Sequence, residues 1–176
     1  MYLYNKMHPS TQIESTGTFP IYAGLILLGL RSEKYTGKLD WDWIGGRMEE
    51  NEHSPAITYE RELKEECGAI AGKIILDCTR KESFDIHTND TYTLIPNTIT
   101  NKYIWLTRCE IQNKEELDSA LLLPRPIIPG TSHHVCYRWV TKSEMRDLIE
   151  GKQVHGYYAR KFMVRIKDYL ISHLHL

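Results

Sequence analysis

The stretch GGRMEENEHSPAITYERELKEECGA, residues 45–69, decides how the surrounding chain folds, because it contains a helix with both ends marked. Ser54 is a favourable N-cap and Pro55 suits the first helical position. Gly68 can adopt the left-handed conformation that ends many helices. We therefore predict a helix of about four turns between Ser54 and Gly68.

Three carboxylates share one face of this predicted helix. At ~100° per residue, Glu62, Glu65 and Glu66 fall within an arc of ~100°. Because three like charges repel one another, a hard divalent cation such as Mg²⁺ or Mn²⁺ would stabilise them through oxygen ligation. The alternative is an acidic face exposed to solvent, which is the usual state of a charge-rich helix. The adjoining face is apolar and consists of Ala56, Tyr59, Leu63 and Cys67.

This helix and the loop before it resemble the signature of the Nudix hydrolases: Gly, five residues, Glu, seven residues, then Arg-Glu-apolar-x-Glu-Glu-x-Gly-apolar. Residues 61–69, RELKEECGA, match every fixed position of the second half. Gly46 and Glu52 match the first half, but eight residues separate Glu52 from Arg61. One extra residue in the loop, for example His53, would explain this spacing, because loops tolerate insertions.

The resemblance extends along most of the chain. The apolar run 22–30 resembles the early core strand of the family, and residues 43–49 resemble its lead into the signature, with Ile44 where members often carry Pro. Residues 137–145 resemble the strand-to-helix step late in the fold. The resemblance therefore implies an α/β fold, an α/β/α sandwich with a mixed β-sheet.

One domain is expected over residues 1–176, a natural length for a single core. Residues 1–17 are expected to be an N-terminal extension that forms an edge strand or an arm. The segment 124–130, PRPIIPG, is predicted to be a rigid loop. Further strands are predicted at 20–30, 41–44, 73–79, 92–95, 103–111 and 135–140, and further helices at 142–150 and 157–172.

The resemblance also implies the roles of individual residues. Arg61 is expected to orient the acids and the loop, and it is placed to do so because it lies four residues before Glu65. Glu52 and Glu49 would be supporting acids. The expected metal ligands are Glu62, Glu65, Glu66 and the backbone carbonyl of Gly46, and the three glutamates and Arg61 are the expected catalytic residues.

A further catalytic residue is predicted in the second half of the chain. The family pattern Glu-His-x-x-Tyr-Arg-Trp-Val resembles residues 133–140, HHVCYRWV, with His133 in place of the Glu. Because the pKa of histidine lies near neutrality, His133 is a candidate general base. The alternative is a pair of polar histidines beside a strand.

The resemblance implies hydrolysis of a pyrophosphate bond in a nucleoside diphosphate linked to another group, with Mg²⁺ or Mn²⁺ as cofactor. One alternative is a nucleotide-binding or regulatory module with little or no turnover, motivated by the shifted Glu52 and by His133. Another is a member directed at RNA caps, motivated only by a basic face near the C-terminus. That face consists of Arg160, Lys161, Arg165 and Lys167.

Composition limits the partners and the compartment. Lysine and arginine number 22 against 23 aspartates and glutamates, so the overall charge gives no reason to expect nucleic acid as a partner. The four cysteines are scattered, which favours a reducing, cytoplasmic setting. Residues 1–10 lack the order of a secretory signal, and run 22–30 is far shorter than the ~20 residues of a membrane helix. The sequence therefore predicts a soluble protein, and the resemblance to the Nudix hydrolases implies a small nucleotide-type substrate.

Overall fold

The computed structural model describes residues 12–81, 92–127 and 129–176 as a mixed sheet between two layers of helices. Its strands are β1 (Ile13–Tyr22), β2 (Leu25–Ser32), β3 (Leu39–Asp42), β4 (Ile44–Arg47), β5 (Tyr92–Asn97), β6 (Lys102–Glu110) and β7 (His133–Val140). Its helices are α1 (Pro55–Cys67), α2 (Ala69–Lys81), α3 (Lys114–Leu121), α4 (Lys142–Ile149), α5 (Lys161–Arg165) and α6 (Lys167–Leu174).

Strand β1 lies in the middle of the sheet, whose main order is β3-β2-β1-β6-β5. It pairs in parallel with β6 and antiparallel with β2 and β4, while β7 pairs with β2. Residues 15–17 were expected in an edge strand or arm, and this expectation is wrong, because they pair with β4 on one side and β6 on the other. Residues 1–11 of that extension lie outside the described residues.

The single strand predicted at 20–30 is instead a hairpin. Ala23 and Gly24 form its two-residue turn with φ angles of 47° and 81°, and Tyr22 pairs with Leu25 across it. A hairpin turn of type I′ has positive φ at both central positions, which is common for Gly and rare for Ala. The continuous apolar run therefore concealed the reversal of the chain.

Helix α1 has the predicted bounds. The Ser54 side chain accepts a hydrogen bond from the Ala56 N–H, and Pro55 occupies the first turn. Gly68 ends the helix with φ 87° and ψ 164°, so it has the positive φ of glycine but not the predicted left-handed helical conformation. Its N–H still donates to the carbonyl of Lys64 at 3.0 Å.

The strand predicted at 73–79 is wrong, because the segment belongs to helix α2. Ala71, Ile75 and Thr79 are buried at a spacing of four residues, which is a helical period. Gly72 allows α2 to approach α1 closely, since a Cβ at this position would lie 2.7 Å from the Leu63 carbonyl oxygen. The β-branched residues in the segment therefore misled the prediction.

The predictions for the later elements are mostly confirmed. β5, β6, β7 and α4 lie where the sequence predicted them, whereas α3 was not predicted. The helix predicted at 157–172 begins later and is divided at Ile166 (φ −100°, ψ 21°) into α5 and α6. The preceding residues are extended because the Trp41 N–H donates to the Tyr158 carbonyl and the Arg160 N–H to the Trp41 carbonyl.

Two hydrophobic cores lie on opposite faces of the sheet. Leu27 belongs to the core beneath α1, α2 and α3, whereas Ile26 and Leu28 belong to the core beneath α4, α5 and α6. Successive residues of a strand point to opposite faces, so β2 contributes to both cores. This arrangement confirms the predicted α/β/α sandwich and places α1 on one face of the sheet.

Candidate active site

Arg61 is the centre of a hydrogen-bond network that joins α1 to the loop after β4. Its Nη2 donates to the carbonyl of Arg47 at 2.8 Å, and its Nη1 donates to Glu62 Oε1 at 2.8 Å and to Glu65 Oε2 at 3.0 Å. The contact with Glu65 is the predicted pairing of residues four apart. One side chain therefore fixes the distance between this loop and two of the acids.

Glu52 contacts Arg61 despite the unusual spacing. Arg61 Nε lies 2.7 Å from Glu52 Oε1, and the Glu52 Oε2 atom accepts hydrogen bonds from Thr58 Oγ1 at 2.7 Å and the Glu49 N–H at 2.8 Å. The hydrogen bond with Arg61 is the largest cause that lowers the pKa of Glu52 to about 2. Residues 53 and 54 lie in the loop before α1, so a residue inserted there does not disturb the helix.

Glu62 is buried against the backbone of the loop. Its side chain is 10 % exposed, and a Cβ placed on Gly46 would lie 2.3 Å from its carboxylate. Only a glycine at position 46 therefore allows this approach. Burial raises the pKa of Glu62 despite the opposing charge of Arg61. The predicted ligands Gly46 and Glu62 are thus adjacent.

Glu66 lies on the other side of α1, against β7. Its Oε2 accepts a hydrogen bond from the His134 N–H at 3.2 Å and lies 3.2 Å from His134 Nδ1. Burial, followed by the charge of Glu62, raises the pKa of Glu66 to about 7. The ring of His134 is itself buried, and burial lowers its pKa to about 3, so His134 contacts Glu66 as a neutral imidazole.

Two further side chains connect β7 to the end of α1. Tyr137 donates from its hydroxyl to the backbone carbonyl of Glu66, and Arg125 donates to the carbonyl of His134. The Arg125 guanidinium lies 5.3 Å from the centre of the Tyr137 ring. The sequence reasoning identified neither Arg125, Tyr137 nor His134 as part of the site.

A β-bulge explains why His134, and not His133, faces the acids. Leu30 pairs with Cys136 but the next residue of β2, Arg31, pairs with His134, so Val135 is an extra residue in β7. An extra residue turns the preceding side chains to the opposite face. Among the described residues no hydrogen bond or ion pair joins His133 to Glu62, Glu65 or Glu66. Its role as a general base stays a prediction.

A cavity of about 740 Å³ opens beside the Gly46 loop, within the range of small-molecule sites. Its walls come from the start of β1, the loop after β4, the facing ends of β5 and β6, and the segment before and within α5. Lining residues that matter below are Gly46, Arg47, Lys102, Arg160 and Phe162, together with the acids Glu14, Glu49, Glu50 and Glu52.

The donor atoms near this cavity suit a hard divalent cation, although they are not yet grouped around one. Within 12–81, 92–127 and 129–176, no three His, Cys, Asp or Glu side chains form a ready metal-binding group. Arg61 donates hydrogen bonds to Glu52, Glu62 and Glu65 and so compensates their charge. Burial nevertheless raises the pKa values of Glu62 and Glu66, so a bound cation would stabilise both ionised carboxylates.

Comparison with known proteins identifies the fold and the family. The model of the NUDIX domain matches residues 14–162. No curated protein matches the chain. In the described part of the chain, no helix has the length and apolar character needed to cross a membrane.

Solved structures share this fold at low identity. A bifunctional NMN adenylyltransferase/ADP ribose pyrophosphatase from Francisella tularensis is 15% identical, with a TM-score of 0.51, and the match covers 94% of this chain and 42% of that chain. The same enzyme complexed with AMP and Mn ion has a TM-score of 0.50 at 15% identity, with 90% and 41% covered. A NUDIX hydrolase from Nitrosomonas europaea is 15% identical, with a TM-score of 0.49 and 91% and 90% covered.

The domain match and the fold confirm the resemblance seen in the sequence. The match spans most of the chain, including the loop after β4, helix α1 and the β7 strand that contacts it. The chain therefore belongs to the Nudix family and is a Nudix-type pyrophosphohydrolase.

Proposed function

We propose that the protein hydrolyses the pyrophosphate bond of a nucleoside diphosphate linked to another group, and that it requires Mg²⁺ or Mn²⁺. The observation that carries this proposal is the position of two carboxylates of α1 that interact electrostatically, the buried Glu62 and the partly buried Glu66, with the Gly46 backbone packed against Glu62. Carboxylate and carbonyl oxygens are the ligands that these cations prefer.

The residues proposed to hold the cation are Glu62, Glu65, Glu66 and the carbonyl of Gly46. When bound, the cation would neutralise phosphoryl charge and acidify the attacking water. Arg61 already holds one oxygen each of Glu62 and Glu65, while Glu62 Oε2 accepts no hydrogen bond from the described residues. The second oxygen of Glu62 is therefore available as a ligand without breaking the Arg61 network.

The chain's own residues would position these acids and the proton acceptor. Arg61 and Glu52 hold the loop and α1 together, and the backbone N–H of His134 donates a hydrogen bond to Glu66, with the His134 ring packed beside the same carboxylate. Proton removal from the attacking water requires a base whose pKa lies near the working pH. His133 is the candidate that follows from the sequence, and its assignment is part of this proposal.

The geometry weakens the arguments for the two alternatives, a binding module without turnover and an RNA-directed member. The module without turnover was motivated partly by the shifted Glu52, but Glu52 forms the expected contacts with Arg61. The RNA-directed member was motivated by a basic face, but Arg160 of that face is paired with Asp42. Hydrolysis of a small nucleotide substrate is the function that the site supports best.

The test measures hydrolysis of the pyrophosphate bond in a panel of compounds, with Mg²⁺ or Mn²⁺ present. The panel consists of ADP-ribose, NADH, diadenosine polyphosphates and nucleoside triphosphates. The solved Francisella tularensis relative carries AMP and Mn ion, so ADP-ribose with Mn²⁺ is the first combination to assay. Glu65→Gln should lower turnover by ~10²-fold or more. The control is Glu115→Gln on α3, an exposed acid remote in sequence. Absence of turnover with a folded, metal-loaded protein would favour the binding module.

A further inference from the structure

The cavity beside the Gly46 loop contains a guanidinium that is fixed by a buried carboxylate. Arg160 lines this cavity together with Gly46. Its Nη1 donates to Asp42 Oδ2 at 3.0 Å, and Asp42 is 3 % exposed. The Arg160 side chain is 36 % exposed, so a third of its surface remains accessible. One end of the guanidinium is thus held by the protein while the side chain borders the cavity.

The backbone of Arg160 is also fixed. Its N–H donates to the Trp41 carbonyl at 2.8 Å, and the Trp41 N–H donates to the Tyr158 carbonyl at 2.9 Å. The residue before Arg160 therefore forms a parallel bridge with β3, the strand that carries Asp42. Both the main chain and the side chain of Arg160 are tied to the same short strand.

Asp42 is suited to orient a guanidinium. Its Oδ1 accepts a hydrogen bond from the Trp43 N–H at 2.9 Å, so its carboxylate has one fixed orientation, and its Oδ2 faces Arg160. Arg31 lies farther away, with Nε 3.9 Å from Asp42 Oδ2. Burial raises the pKa of Asp42, and Arg160 is the first of the charges that oppose this rise. Asp42 therefore depends mainly on Arg160 for charge compensation.

The charges around the cavity explain why a fixed cation is needed there. Four acids line it, and they would repel a pyrophosphate group. Of the three cations in its walls, Arg47 and Lys102 are exposed, whereas Arg160 is anchored. An anchored guanidinium loses little conformational freedom when it binds a phosphate, and its planar donors match phosphate oxygens.

We propose that Arg160 binds a phosphate oxygen of the substrate in the cavity that it shares with Gly46, whose backbone packs against Glu62, and that Asp42 is the residue that positions it. This inference rests on the proposed function. In that function the divalent cation supplies one positive charge to the pyrophosphate group, and the Arg160 guanidinium would supply the second. The sequence placed Arg160 in a basic surface face. We instead assign it a role in determining specificity for phosphorylated substrates.

The experiment uses methylenediphosphonate, a pyrophosphate analogue whose bridge does not hydrolyse, and measures its affinity by calorimetry in the presence of Mg²⁺. Arg160→Gln should weaken binding by about tenfold or more, the effect of one charged hydrogen-bonding group. Arg165→Gln is the matched control, because Arg165 is an exposed arginine of the neighbouring helix α5 outside the cavity walls. The affinity of the Arg165→Gln variant for methylenediphosphonate should equal that of the unaltered protein.

Two further variants guard against misfolding, since Arg160→Gln leaves the Asp42 carboxylate with only the distant Arg31. The double variant Asp42→Asn/Arg160→Gln removes both charges and should show the same loss of affinity. Asp42→Asn alone keeps the guanidinium but releases it, so it should raise the KM for the hydrolysed substrate more than it lowers kcat.

Mn²⁺ binding, measured separately by electron paramagnetic resonance, distinguishes a failure of the Arg160 proposal from a failure of the proposed metal-dependent function. If Arg160→Gln binds Mn²⁺ and methylenediphosphonate as the unaltered protein does, the role of Arg160 is overturned while the metal site stands. Failure of the unaltered protein to bind the analogue at all also overturns it. If the unaltered protein does not bind Mn²⁺, this result would instead contradict the proposed function.

Discussion

The Nε atom of Arg61 lies 2.7 Å from Oε1 of Glu52, although eight residues separate the two in the chain. The Nη2 atom of Arg61 also reaches Glu52 Oε2 at 3.2 Å, so the contact is bidentate. The loop before Pro55 accommodates the extra residue that separates Glu52 from Arg61. This ion pair therefore joins the loop after β4 to helix α1, together with the hydrogen bonds from Arg61 to the Arg47 carbonyl and from Thr58 to Glu52.

Arg61→Lys should lower kcat by about tenfold or more with little change in the free energy of unfolding. A lysine has one nitrogen, whereas Arg61 uses three nitrogens to reach Glu52, Glu62, Glu65 and the Arg47 carbonyl. Steady-state kinetics on the substrate found in the panel, together with chemical denaturation, would check both quantities. A kcat within about twofold of the unaltered value would show that these contacts do not matter for turnover.

Gly46→Ala should weaken Mn²⁺ binding. The added Cβ would lie 2.3 Å from the Glu62 carboxylate, which must then move away from the loop. Because the methyl group carries no charge, a loss of metal affinity would report a displaced ligand rather than a changed charge. Titration with Mn²⁺ by electron paramagnetic resonance measures this affinity, and an unchanged value would mean that Gly46 and Glu62 do not share a ligand.

His134→Ala and His133→Ala separate the two histidines of β7. His134 touches Glu66 Oε2 with its Nδ1 at 3.2 Å, so His134→Ala should weaken Mn²⁺ binding and lower kcat. If His133 is the general base, His133→Ala should lower kcat without changing Mn²⁺ affinity. Equal Mn²⁺ affinities in the two variants would contradict the contact between His134 and Glu66.

The contact between His134 and Glu66 can also be tested from strand β2, which pairs with β7. Gly29 lies on β2 beneath the His134 ring, and a Cβ there would come within 2.5 Å of ring atoms. Gly29→Ala should therefore displace His134 and reproduce the loss of Mn²⁺ affinity seen in His134→Ala. The double variant should be no worse than either single variant, since both act through the same ring. Additive losses would indicate that the two residues act separately.

His173 makes stability depend on pH in the mildly acidic range. Burial lowers its pKa to about 4 in the folded protein, against about 6.5 for an ordinary histidine. Above pH 6.5 the residue is neutral in both states. As the pH falls from 6.5 to about 4, only the unfolded chain takes up the proton, so the free energy of unfolding decreases, by an amount on the order of 3 kcal/mol.

His173→Gln removes this titration and should make the decline in stability below pH 6.5 shallower. Some slope should remain, because burial also lowers the pKa of His134. Urea denaturation at several pH values between 4 and 7 measures the slope. Parallel curves for the variant and the unaltered protein would show that His173 is not the group that titrates.

Local signals predicted the bounds of helix α1 correctly because the information lies within a few residues. Ser54, Pro55 and Gly68 mark the ends of the helix, and the positions of the glutamates follow from its period. The same local reasoning failed for residues 73–79, where β-branched residues form a helix because Gly72 lets α2 pack against α1. Contacts between elements decided that outcome, and single residues do not reveal them.

The identity of the histidine beside Glu66 was also beyond local reasoning. It depends on the bulge at Val135, which turns His134 toward α1 and His133 away. A bulge is set by the pairing of β7 with β2 rather than by the sequence of β7 alone. The position of Arg160 has a similar origin, since residues 158–160 are extended by their bonds to β3 rather than helical as predicted.

The most direct test of the central claim, a divalent-cation site formed by the acids of α1, is a Mn²⁺ titration followed by electron paramagnetic resonance. Glu62→Gln and Glu66→Gln are compared with the unaltered protein and with the Glu115→Gln control. We predict that both site variants lose Mn²⁺ affinity by at least about tenfold and that the control does not. Affinity that is equal in all four proteins would contradict the assignment of the metal site to α1.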